Sequence, residues 1–181
     1  MLRGLLWSRG AHLVVLIHDA GGDLDDWGSL PAALSVDGYA VLALDLPGHG
    51  MSDDPWEPDR STDLMAGILA HARTLTDGKC FAMSMGSMAS PIAEAGFDAV
   101  IAVSPTPDSA IQREAGRTPC LIFVGSADGQ AANDADRYFR SRVGWTVSSS
   151  FGIAANGPDL LRSLWAGHIR EQTVAFLRDY Q

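Results

Sequence analysis

The pentapeptide Ala82-Met83-Ser84-Met85-Gly86 sets a hydroxyl among small neighbours at the end of an apolar run. A serine becomes a nucleophile only when a base takes its proton and an acid orients that base. It must also stand clear of the backbone on a very tight turn, which small flanking residues permit. Ala82, Gly86 and Ser87 supply them, so the stretch is a variant of the G-x-S-x-G elbow with Ala in the first glycine position. In that frame the backbone N–H of Met85 and the start of the following helix face a developing oxyanion. The alternative reading of Ser84 is a helix cap.

The elements around this serine decide where it stands. Short apolar runs predict strands at 12–18, 39–45, 79–84, 99–104, 119–125 and 145–151. Most lack polar alternation, as strands buried on both faces of a parallel sheet do. Amphipathic stretches predict helices near 24–36, 61–76, 86–95, 131–142 and 169–180. The expected architecture is a single-domain α/β fold over 1–181, a mostly parallel sheet of about six strands with right-handed crossovers. Ligands of such sheets bind beyond the carboxyl ends of the strands, where Ser84 falls.

Composition narrows the classes of partner. Thirteen basic against 22 acidic residues give a net charge of -9, which opposes binding to nucleic acid or to an anionic membrane. Cys80 and Cys120 both lie in apolar runs and read as buried thiols of a reducing, cytoplasmic compartment. The five histidines and two cysteines show no metal-ligand spacing, and neither metal nor cofactor is expected. The first 18 residues are broken by Arg3, Ser8, Arg9 and Gly10 and read as mature structure rather than a signal peptide. No stretch approaches the length of a membrane span.

Four segments in order, VVLIHDAGGDLDDW, LALDLPGHGMSD, the elbow and PCLIFVGSADG, resemble the α/β-hydrolase family over roughly 12–151 and the final helix. The resemblance implies a serine hydrolase in its compact form, without a cap domain. Its triad order is Ser, Asp, His. Carried onto this chain, it implies Ser84 as nucleophile and Asp128 as the acid after its strand, and the backbone N–H groups of Ala20 and Met85 as oxyanion hole. His18 and His49 match loop-shaping positions of the family motifs. Asp128 also reads as an Asp-Gly turn.

The base is the departure. Where the family places His-Gly after the last strand, this chain has Asn156-Gly157, and an amide cannot act as a general base. The remaining candidate is His168, preceded by Gly167 ahead of the last helix; its alternative is a helix residue that packs or caps. His12 and His71 read as structural. Asp19 stands where the family commonly has Gly, and a carboxylate beside the hole opposes a developing negative charge.

Only 14 residues, 105–118, separate two strands where a cap is often inserted, so an open site is expected, with Leu160, Leu161, Leu164 and Trp165 of 152–167 as a possible small flap or as part of the core. The expectation is a carboxylesterase on small soluble esters or thioesters. Its competitor is a non-catalytic, hydrolase-like binding protein, favoured by Asn156 and Asp19.

Overall fold

A computed structural model describes residues 1–107 and 117–181. The predicted parallel sheet forms, with one strand more than expected. Its seven strands are β1 (Arg3–Trp7), β2 (Leu13–Ile17), β3 (Ala40–Asp45), β4 (Cys80–Met85), β5 (Ala99–Val103), β6 (Cys120–Gly125) and β7 (Thr146–Phe151). They lie in the order β1-β3-β2-β4-β5-β6-β7, all parallel except β1, which runs antiparallel beside β3. Residues 108–116, within the connection expected to be too short for a cap, fall outside the described residues.

Strands β2 to β6 are buried along their whole length, which explains why their sequences read as unbroken apolar runs. Side chains leave alternate faces. Leu13, Val15, Ile17, Cys80 and Ala82 enter one core with Met65, Ile68 and Leu69 of α2 (Ser61–Ala72), Ile92 of α3 (Ala89–Ala95) and Tyr138 of α4 (Gly129–Ser141). Val14, Leu16, Phe81, Met83 and Met85 enter the opposite core with Leu30 and Leu34 of α1 (Leu30–Val36), Leu160 of α5 (Gly157–Arg162) and Ile169 and Leu177 of α6 (Ala166–Arg178). Each fully buried Val, Leu, Ile, Phe or Met among them contributes roughly 1.5–3 kcal/mol by leaving water. The sheet is therefore a rigid platform for its strand ends.

Three departures from the predicted elements matter. β1 was not expected, because its five residues are exposed nearly throughout, carry a mid-strand Gly4 and show no alternation. The helix expected near 24–36 is a 3-10 turn, Leu24–Trp27, capped by Asp23, and then α1; Gly28, at φ 52°, and Ser29 separate them, and Pro31 sits in the first turn of α1. The strand expected to end at Ser84 continues through Met85. The turn therefore falls at Gly86, two residues beyond Ser84.

Candidate functional site

β4 carries Ser84 inside the sheet, opposite Ile17 of β2 and Ala102 of β5. The serine is 1% exposed, and its hydroxyl donates weakly to the carbonyl of Ile101 at 3.5 Å. It does not line the cleft at the strand ends. The turn comes two residues later, at Gly86, with φ 54° in the left-handed region where glycine is favoured. A 3-10 turn, Gly86–Met88, then leads into α3. Gly86 therefore occupies the apex from which an elbow residue projects, and it has no side chain to project.

What fills that space is Asp19, from the loop after β2. A Cβ placed on Gly86 would collide with its carboxylate. Asp19 Oδ1 accepts the backbone N–H of Ser87 at 2.9 Å, the Ser87 hydroxyl at 2.6 Å and the backbone N–H of Ala20 at 2.8 Å. The two N–H groups flanking the apex thus already hold an anion, supplied by the chain itself. Met85, the expected second donor, sits within β4 with extended backbone and a buried side chain.

Histidines fix the loop that delivers Asp19. His18 Nδ1 donates to the carbonyl of Asp19 at 2.7 Å, and its Nε2 accepts from the N–H of Leu46 at 2.9 Å. Burial pushes the His18 imidazole below its ordinary pKa, so it is held neutral. His49 accepts from Gly21 N–H through Nε2 and donates to the carbonyl of Pro47 through Nδ1. Asp45 completes the support by accepting from Leu24 and Met51 N–H, both at 2.9 Å. These groups are committed to backbone.

Across the cleft, Asp128 caps α4 and accepts from the N–H groups of Gln130 and Ala131 through Oδ1. Its Oδ2 accepts from the Asn156 side-chain amide at 2.5 Å. Gly125 makes this meeting possible: residues 153–155 cross so close to the end of β6 that a Cβ there would strike the carbonyls of Ile153 and Ala155. Ser126 and Ala127 N–H tie the crossing down by donating to Phe151 and Ile153. Asn156 is completed by Ser104 at the end of β5, whose hydroxyl donates to Asn156 Oδ1 at 3.4 Å and accepts from Gly157 N–H at 2.9 Å. Ser104 has φ 47°, a left-handed conformation that costs a non-glycine residue of order 1 kcal/mol and is held by these bonds.

His168 lies elsewhere. It is exposed on α6, with its Nε2 2.8 Å from Gln172 Nε2, its Nδ1 3.7 Å from Glu171, and its ring against Phe151 and Trp165. The structure brings together Asp128 and Asn156, with Gly86 and Asp19 on the same cleft of about 350 Å³; it does not bring Ser84 or His168 to them. No histidine is among the residues lining that cleft. Of the suggested flap, Leu160 is fully buried, Leu161 and Trp165 pack against the same core, and Leu164 alone is largely exposed.

Sequence reasoning gave Gly86 and Ser87 only as small neighbours of the elbow, and it passed over Ser104. One signal was readable: shifting the elbow frame by two residues puts Gly86, the residue that best tolerates the apex backbone, at its centre.

A parallel sheet with one antiparallel edge, a tight turn after its central strand and a carboxylate after β6 define a hydrolase-type architecture. The chain belongs to the alpha/beta hydrolase family, whose model matches residues 14–179. It is 32% identical over 124 residues to Esterase Rv0045c of Mycobacterium tuberculosis, covering 63% of this chain and 39% of that protein. It is 48% identical over 61 residues to the dihydrolipoyllysine-residue acetyltransferase component of an acetoin cleaving system from Cupriavidus necator, covering 34% of this chain and 16% of that one. A monoacylglycerol lipase from Paleococcus ferrophilus shares the fold, with a TM-score of 0.79 at 14% identity over 100% of both chains. Among the described residues no helix is long and apolar enough to cross a membrane, and no group of three His, Cys, Asp or Glu side chains is arranged to hold a metal ion.

Proposed function

We propose that this chain is a non-catalytic, hydrolase-like binding protein that takes a small molecule in the cleft between Gly86 and the Asp128–Asn156 pair. The observation that carries the reading is the Asp19 carboxylate bound to the N–H groups of Ala20 and Ser87, over an apex residue without a side chain. Acyl transfer needs a nucleophile at the apex, a base beside it and an empty oxyanion hole. On this reading the apex is Gly86, the base position is Asn156, and the Asp19 carboxylate occupies the N–H groups of the hole. The carboxylates of Asp19, Asp128 and Asp134 favour a ligand that presents hydroxyl or amine donors over one that presents a carboxylate.

A second reading is a carboxylesterase acting through Ser84, Asp128 and His168 with Ala20 and Met85 as oxyanion donors, on small soluble esters or thioesters. It is favoured by the 32% identity to a protein named an esterase. It requires the end of β4 to unravel so that Ser84 reaches the cleft, and α6 to bring His168 there.

A fluorophosphonate probe and short p-nitrophenyl esters separate the two. The binding reading expects no covalent labelling and hydrolysis no faster than that of the Ser84→Ala variant. Stoichiometric labelling of Ser84, lost together with turnover in Ser84→Ala, would establish the esterase instead.

A further inference from the structure

A second cavity, of about 810 Å³, shares no residue with the cleft. Leu42 and Leu44 of β3 form its floor, and α2 and the segment 54–57 form its walls. The floor is open to the cavity. Leu42 and Leu44 keep 7% and 8% exposure, while Val41 and Ala43, on the opposite face of the same strand, keep none. Trp56 packs against the same core, with its ring edge-on to His49 at 5.9 Å, and gives one wall a flat aromatic surface. A volume of this size suits a small organic ligand.

The helical wall carries an anomaly. Asp63, Gly67 and His71 fall at i, i+4 and i+8 and make one stripe of α2, all three lining the cavity. Glycine is among the least favourable residues inside a helix. Gly67 has no left-handed backbone to explain it, and a Cβ placed on it would meet no atom within 4 Å. Neither conformation nor close packing requires glycine there. What the missing side chain leaves is room in the cavity.

The charges on the rim select the ligand. Glu57 and Arg60 pair with each other at 3.3 Å, and Asp54 lies against the amine of Met1. Asp63 has no hydrogen-bond or ion-pair partner among the described residues. Even with Asp54 discounted, the rim is left with one unpaired carboxylate, on a chain whose net charge is -9. Such a rim repels an anion and attracts a cation. We propose that this cavity is a second binding site, for a small molecule with an apolar body and one protonated amine. The body lies against Leu42, Leu44 and Trp56 in the space left by Gly67, and the amine pairs with Asp63. An aromatic body gains further from the Trp56 ring.

Phenylbutylamine, phenylbutanol and phenylbutyrate share a body and differ in head group. Each is titrated against the isotope-labelled chain while the indole N–H resonance of Trp56 is followed by NMR. The amine should move that resonance and bind roughly tenfold tighter than the carboxylate. Asp63→Asn should weaken the amine about fivefold, as loss of one exposed ion pair does, and leave the alcohol unchanged. Gly67→Leu fills the cavity and should abolish the response to all three, with no loss of thermal stability because leucine favours a helix. Asn156→Ala, which alters the cleft, should leave the Trp56 response as it is. A Trp56 resonance that none of the three compounds moves overturns the proposal. So does amine binding that survives Gly67→Leu, equal affinity for amine and carboxylate, or a response that depends on Asn156 and not on Asp63.

Discussion

Asp19 and Ser87 are joined twice: one carboxylate oxygen accepts both the backbone N–H of Ser87 at 2.9 Å and its hydroxyl at 2.6 Å. A residue from the loop after β2 is thereby locked to the first turn beyond β4. The same oxygen also accepts the backbone N–H of Ala20, so donors from both loops converge on one carboxylate.

The lock depends on the missing side chain at position 86. Gly86→Ala forces a Cβ into the Asp19 carboxylate and fixes a left-handed backbone, so it should cost about 2–4 kcal/mol. In an Asp19→Gly background only the backbone penalty of about 1 kcal/mol remains. Urea unfolding of the two single variants and the double variant should give a coupling above about 1 kcal/mol. Additive effects would mean that the carboxylate moves aside freely.

Rebuilding the reactive centre requires three changes at once. Gly86→Ser alone supplies a hydroxyl against an occupied hole, and Asn156→His alone supplies a base with no nucleophile. The combination of Asp19→Gly, Gly86→Ser and Asn156→His should become labelled by a fluorophosphonate while each single variant stays silent. Labelling of the Gly86→Ser variant by itself would show that Asp19 does not block the hole.

Ser84→Ala should be nearly neutral. The hydroxyl makes one long hydrogen bond inside the sheet, and such bonds are worth about 0.5–1.5 kcal/mol net. Thermal unfolding should show a shift of a few degrees at most, and ligand binding in the cleft should not change. A loss of binding would tie Ser84 to the cleft after all.

Stability should fall on the acid side through His18. Its folded-state pKa is held below the ordinary value of 6.5 by burial, so the unfolded chain binds the proton more readily. The stabilisation is complete above about 6.5 and is lost as pH falls from there through the folded-state pKa. Urea midpoints should rise with pH up to about 6.5 and level off above it, and the His18 ring resonances should titrate below those of a model imidazole. A His18 titration above 6.5 would contradict the buried, neutral assignment.

The sheet was legible because its strands are buried on both faces, and an apolar run has few other uses. Four of the helices came out within a few residues of their expected positions for a related reason: their apolar periodicity is dictated by the cores they cover. β1 escaped because an exposed edge strand has no such pattern. At the site, Asp128 was legible as a carboxylate directly after an apolar strand, and Asn156 as an amide where the resemblance calls for imidazole. Ser84 illustrates the limit. A serine two residues before a turn and a serine on the turn differ by about 6–7 Å of strand, at about 3.3 Å per residue, and composition does not register the shift. Only the backbone angle at Gly86 separates them.

The hydrogen bond between Asn156 and Asp128 ties the turn after β7 to the first turn of α4, and its donor is an amide. An imidazole in that place would exchange protons over the physiological range, so the far wall of the cleft would change charge with the acidity around it. The amide does not titrate there. Its dipole is fixed, and whatever docks against Asn156 meets the same donor and acceptor in neutral and mildly acidic surroundings alike.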